Sequence, residues 1–99
     1  VTNPIIPKIT ALLNPFPNPF NPDVTIPFDL AVDGNVTLKI YNLKGQLIKN
    51  LLNENCKANS YRILWDGKDN EGHTVSTGTY IIRMNAPNYQ ASHKISLIK

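Results

Sequence analysis

The sequence predicts an all-β domain, an immunoglobulin- or fibronectin-like sandwich of about seven antiparallel strands, on three observations. Apolar and polar residues alternate with period two in one segment after another, and no segment keeps helical spacing for three turns. Glycine, asparagine, aspartate and proline interrupt that alternation at the spacing of short strands, about every 8–12 residues. The 99 residues provide for one core and no second one.

In chain order, Lys8 to Leu13 forms an opening strand. Five prolines (Pro15, Pro17, Pro19, Pro22 and Pro27) then keep the chain between Asn14 and Pro27 extended and without regular ladder partners. Their spacing superficially resembles a polyproline ligand, but the interleaved Phe16 and Phe20 are better placed to anchor the crossing segment in the core. Val24, Ile26, Phe28 and Leu30 alternate as the next strand. Pro27 lacks an amide hydrogen for the ladder, which places this strand on an edge at that point.

Asp33-Gly34-Asn35 turns the chain into Val36, Leu38 and Ile40, and Asn42-Leu43-Lys44-Gly45 turns it again. Gln46 to Leu52 is a less regular fourth strand. Tyr61, Ile63 and Trp65 mark the fifth, Tyr80, Ile82 and Met84 the sixth, and Ile95 and Leu97 the last. Trp65, the largest apolar side chain, belongs in the centre of the core. In many sandwiches a tyrosine near the start of the penultimate strand hydrogen-bonds back to nearby backbone. Tyr80 fits that corner, with Gly78 two places earlier to let the chain turn.

Composition narrows the function. Residues 1–34 hold Lys8 against Asp23, Asp29 and Asp33, whereas residues 35–99 hold nine cations against four acids. The nine are scattered singly, without the clustered cations and interleaved aromatics of a nucleic-acid surface. No apolar run approaches the roughly 20 residues that cross a membrane as a helix. A single cysteine, Cys56, makes neither an internal disulfide nor a metal cluster. If the chain is exported, its signal peptide lies upstream of Val1. Residues 1–7, with Pro4 and Pro7, have the character of a linker, and 8–99 that of the folded domain.

Few residues suit chemistry. Asp66 and Asp69, with Asn70 and Glu71, are the best metal candidates, but Lys68 stands where a calcium loop needs an oxygen. A solvated turn explains them without any metal. His73 and His93 are far apart and expected to face solvent. Ser60, Ser76, Ser92 and Ser96 lack a nucleophile-elbow setting, and the glycines form no phosphate loop. The sequence predicts no enzyme and no cofactor.

Three ordered segments resemble one family. Asn18-Pro19-Phe20-Asn21-Pro22 opens the first clear strand, Trp65-Asp66-Gly67 with Gly72, Gly78 and Tyr80 forms a central block, and Lys94-Ile95-Ser96-Leu97-Ile98-Lys99 ends the chain. Together they resemble the C-terminal sorting domain (type A) of the type IX secretion system, over about Pro15 to Lys99. The immunoglobulin-like domain of flagellar hook-capping proteins is similar in the central block, and an ending directly on Lys99 favours the sorting domain. The resemblance implies a label attached to an upstream cargo domain, exported to the periplasm and carried to the cell surface or beyond. It implies two partners, an outer-membrane translocon and a sortase-like peptidase cutting within residues 1–7. Gly78, Tyr80, Lys94, Ile95, Leu97 and Lys99 are the expected recognition residues, the terminal strand docking by strand addition.

Overall fold

A computed structural model describes residues 6–99, and residues 1–5 of the expected linker lie outside the described residues. Seven strands form in the order β1 (Ala11–Leu12), β2 (Val24–Leu30), β3 (Gly34–Asn42), β4 (Leu47–Cys56), β5 (Asn59–Trp65), β6 (Gly78–Ala86) and β7 (Tyr89–Leu97). They divide into an antiparallel three-stranded sheet, β1-β2-β5, and an antiparallel four-stranded sheet, β4-β3-β6-β7. This is the sandwich the alternation predicts. The inward positions of both sheets make one core: Val24, Ile26, Phe28 and Leu30 face Val36, Leu38 and Ile40, with Ile82, Met84 and Ile95, all fully buried. Burying side chains of this size stabilises the fold by roughly 1.5–3 kcal/mol each.

Several elements differ from expectation. β1 spans two residues, not six. Its N-terminal extension stops where the Thr10 hydroxyl, in place of a ladder carbonyl, accepts the Ala31 amide at 3.0 Å. β4 runs on through the polar Asn53-Glu54-Asn55 to Cys56, and β7 starts as early as Tyr89. A tight Pro87-Asn88 turn, with Asn88 at φ 55°, joins β7 to β6.

β2 is a central strand, not an edge. Pro27 is tolerated there for a reason set by register. The Thr25 amide and carbonyl both bond Phe16 on the β1 side, and the Pro27 carbonyl accepts the Leu13 amide at 3.0 Å on that same side. The missing proline hydrogen therefore faces the short β1 flank, and the ladder to β5 loses nothing. Phe16 is 45% exposed, with the Arg62 guanidinium 5.8 Å above its ring. Of the two expected anchors, only Phe20 enters the core.

Candidate functional site

Residues far apart in sequence meet at one end of the sandwich. Trp65, at the end of β5, is fully buried, its ring 5.6 Å from that of Phe20 and 5.5 Å from that of Tyr80, the latter edge-on at 71°. Such tilted pairs contribute about 0.5–1.5 kcal/mol each beyond area burial. The polar ends of both large rings are satisfied locally. Trp65 Nε1 donates to the Lys68 carbonyl at 2.9 Å, and the Tyr80 hydroxyl donates to the Ser76 carbonyl at 2.6 Å. Tyr80 thus closes the corner before β6. Gly78 opens β6 opposite Leu97 at φ 157°, a backbone conformation that residues with a side chain rarely adopt. The tight position is Gly67, at φ 74°, where an added Cβ would stand 3.2 Å from the Pro22 carbonyl oxygen.

The proline-rich segment then clasps the last strand. β7 is an edge strand, and its outward backbone groups at Lys94, Ser96 and Ile98 face away from β6. The Asn18 amide fills two of these positions, its Nδ2 donating to the Lys94 carbonyl at 3.2 Å and its Oδ1 accepting the Ser96 amide at 3.0 Å. The Phe20 backbone fills the next two: its amide donates to the Ser96 carbonyl at 2.9 Å and its carbonyl accepts the Ile98 amide at 3.0 Å. Phe20 pairs with Leu97 as a parallel bridge. One asparagine side chain and one residue of backbone imitate an added strand.

Two further edges are capped by the same device. Asn70 accepts the Asn50 amide on its Oδ1 at 3.0 Å and donates its own amide to the Ile48 carbonyl at 3.1 Å, covering β4. On β1, the Leu12 amide donates to the Tyr89 hydroxyl at 2.8 Å, and the Leu12 carbonyl meets His93 Nε2 at 3.2 Å. His93 is therefore half-buried and engaged, not solvent-facing. On β5 the outward groups belong to Arg62 and Leu64, because Thr25 and Pro27 opposite them bond the other way. Among the described residues nothing caps them.

The metal candidates are occupied with the backbone. Asp66 Oδ1 accepts the Lys68 amide, and Asp69 Oδ1 accepts those of Glu71 and His73 at 3.0 and 2.9 Å. The His73 amide is the main reason the Asp69 carboxyl is held below its ordinary range. Among the described residues, no group of three His, Cys, Asp or Glu side chains is placed to hold a metal ion. Cys56 is buried, its Sγ 3.6 Å from the Glu54 carbonyl. Burial, and then Glu54, push its thiol up, away from a reactive thiolate.

The residues expected to contact a translocon separate into two groups. Tyr80, Ile95 and Leu97 lie in the core, at most 5% exposed, and their side chains face no partner while the domain is folded. Gly78 is half-buried, and Lys94 and Lys99 are exposed. Asn18-Pro19-Phe20-Asn21-Pro22 and Trp65-Asp66-Gly67 come together with the terminal strand. The clasp by Asn18 and the cap by Asn70 are absent from the sequence reading. For Asn18 the signal is a segment whose neighbouring prolines leave its side chain as the local donor and acceptor; Asn70, between Asp69 and Glu71, carries no such signal.

Comparison with known proteins places this geometry. The model of the FlgD Ig-like domain family matches residues 23–90. Dimeric latent PorU from Porphyromonas gingivalis is similar over 99% of this chain and 10% of its own, at 24% identity and a TM-score of 0.71. PorZ, an essential bacterial surface component of the type-IX secretion system of that organism, is similar over 87% of this chain and 11% of its own, at 21% identity and a TM-score of 0.58. FlgD from P. aeruginosa is similar over 75% of this chain and 57% of its own, at 25% identity and a TM-score of 0.58. No curated protein matches significantly. The chain spans about a tenth of PorU and of PorZ, and those two likenesses establish the fold.

Proposed function

The chain belongs to the FlgD Ig-like domain family, and from that premise we propose that it is a non-catalytic C-terminal sorting domain. It directs a covalently attached upstream cargo across the outer membrane to the cell surface or the medium through the type IX secretion system. One observation carries this reading over a hook-cap-like role. The family match ends at residues 23 and 90, leaving outside it both halves of the clasp, Asn18–Phe20 and Lys94–Ile98. The likeness to PorU extends over 99% of the chain. PorZ, a type-IX component, adds support from the same side.

In this role the domain acts by being folded and recognised. Its partners are an outer-membrane translocon, which reads it, and a sortase-like peptidase, which cuts in the lead-in before the sandwich. The clasp bears on how the reading occurs. Strand addition along Lys94–Ile98 requires Asn18 and Phe20 to leave the β7 edge first. With the clasp closed, recognition falls to exposed side chains such as Lys94 and Lys99. A structural or interaction module of a surface or hook-cap-like assembly is the second reading, favoured by the family match itself and by the likeness to FlgD.

The test is a fluorescent reporter carrying a signal peptide and residues 1–99, expressed in a host with a type IX system and in the same host lacking its translocon. Reporter on the surface or in the medium only when the translocon is present is the expected result. Reporter retained in the periplasm of both hosts, with the domain folded, overturns the sorting role in favour of the structural module.

A further inference from the structure

The outer face of the four-stranded sheet carries charge of one sign. The alternation that sends Val36, Leu38, Ile40, Ile82, Met84 and Ile95 into the core sends Lys39, Tyr41, Ile81, Arg83 and Lys94 outward. Register places Lys39 directly opposite Arg83, and Lys94 opposite Ile81, one diagonal from Arg83. The β4 residues in the same rows are Asn53, Asn50 and Leu47.

All seven acidic residues lie elsewhere. Asp23, Asp29 and Asp33 belong to β2 and its flanks, Glu54 stands opposite the inward-facing Val36, and Asp66, Asp69 and Glu71 sit in the β5–β6 loop. Among the described residues no carboxylate lies within ion-pair distance of these three cations, and Arg83 reaches only the Gln90 amide oxygen, at 3.4 Å. Like charges directly opposite each other in a sheet are destabilising. Folding therefore gains nothing from pairing Lys39 with Arg83.

Beside these cations lies a shallow cleft of about 320 Å³, lined by Tyr41, Asn42, Leu43, Ile81, Arg83 and Ser92. It offers apolar walls with a guanidinium at the rim. We propose that this face docks an acidic, extended segment of a protein partner, with carboxylates on Lys39, Arg83 and Lys94 and an apolar side chain in the cleft. Spacing favours a peptide over a point anion. Alternate side chains of an extended chain lie about 6.6–7 Å apart, comparable with the diagonal spacing of about 7–8 Å between neighbouring sheet positions. Lys94 stands one diagonal beyond the directly opposed Lys39 and Arg83, so the three cations extend along the face. The proposal holds whether the domain serves secretion or a structural assembly.

The test titrates the 99-residue domain with the synthetic peptide Glu-Leu-Glu-Tyr-Glu-Leu-Glu-Tyr, followed by amide chemical shifts. Shifts confined to Thr37–Tyr41, Ile81–Arg83 and Ser92–Lys94 are expected. A Glu-to-Gln peptide and 0.5 M salt should each weaken binding at least tenfold, because surface charge pairing is screened. Arg83→Glu should abolish binding. Lys39→Glu should also weaken it at least tenfold while raising Tm by about 2–5 °C, since it replaces a repulsive cross-strand pair with an attractive one. That opposite movement of stability and binding separates docking from misfolding. No binding to the wild-type domain, shifts elsewhere on it, equal affinity for the Gln peptide, or saturation of the same residues by inorganic phosphate at similar concentration would each overturn the proposal.

Discussion

β7 and β5 are both edge strands, one in each sheet, and the chain treats them differently. Along β7, the outward carbonyl of Lys94, both groups of Ser96 and the amide of Ile98 are bonded by Asn18 and Phe20 from the far end of the sequence. Along β5, the outward groups of Arg62 and Leu64 have no such cover among the described residues, and Leu64 is 58% exposed. An open edge is a template for pairing with another chain. The fold spends its proline-rich segment on closing the edge next to the terminal residues, and leaves β5 to solvent with only a charged Arg62 to discourage pairing. The three segments that carry the family resemblance therefore form one object, a clasp and the aromatic cluster beneath it.

Removing the anchor of that clasp should have the largest effect. Phe20→Ala empties the space beside Trp65 and frees the segment whose backbone bonds β7. Urea unfolding should show a loss of about 3–5 kcal/mol. Asn18→Ala deletes two solvent-exposed hydrogen bonds and leaves the core intact. Its cost should be about 1–2 kcal/mol, with faster exchange of the Ser96 amide as the local signature. Equal costs for the two variants would mean that the side chain of Asn18, not burial of Phe20, holds the segment down.

Acid should act through the β4 cap. The Asp69 carboxyl is lowered in the folded state, chiefly by the His73 amide. The contribution it makes is therefore present above the ordinary carboxylate pKa, about 3.9, and is lost as pH falls through the lower folded value. Below about pH 4, the Asp69–His73 turn should loosen and Asn70 should release Asn50. Amide shifts of Asn50 and Asn70 moving together in that range, with those of Ser96 unchanged, would confirm that the β4 and β7 caps are independent. The smallest effect is expected on the bare edge. Arg62→Pro removes an outward amide that bonds nothing, together with a cation over Phe16, and should cost under about 1 kcal/mol by thermal melt.

The strands were readable because burial of one face imposes period two, and Val24 to Leu30 or Val36 to Ile40 state it without ambiguity. The misread positions are those where the partner, not the residue, decides. Pro27 signals an edge, yet it sits in a central strand because its missing hydrogen falls on the β1 flank. Phe16 and Phe20 look alike in sequence, but only Phe20 lies against Trp65. The Asn18–Ser96 contact joins residues 78 apart, and no local pattern encodes it. Similarly, Lys39 and Arg83 face each other only through register; in the sequence they are two scattered cations.

Native-state hydrogen exchange at single amides tests the clasp most directly, comparing Ser96 on β7 and Ile98 just beyond it with Arg62 and Leu64 on β5. The closed clasp predicts strong protection of Ser96 and Ile98, near-unprotected exchange of Arg62 and Leu64, and loss of the Ser96 protection in Asn18→Ala without global unfolding. Equal, rapid exchange at all four amides would contradict it, because the β7 edge would then be as open as that of β5.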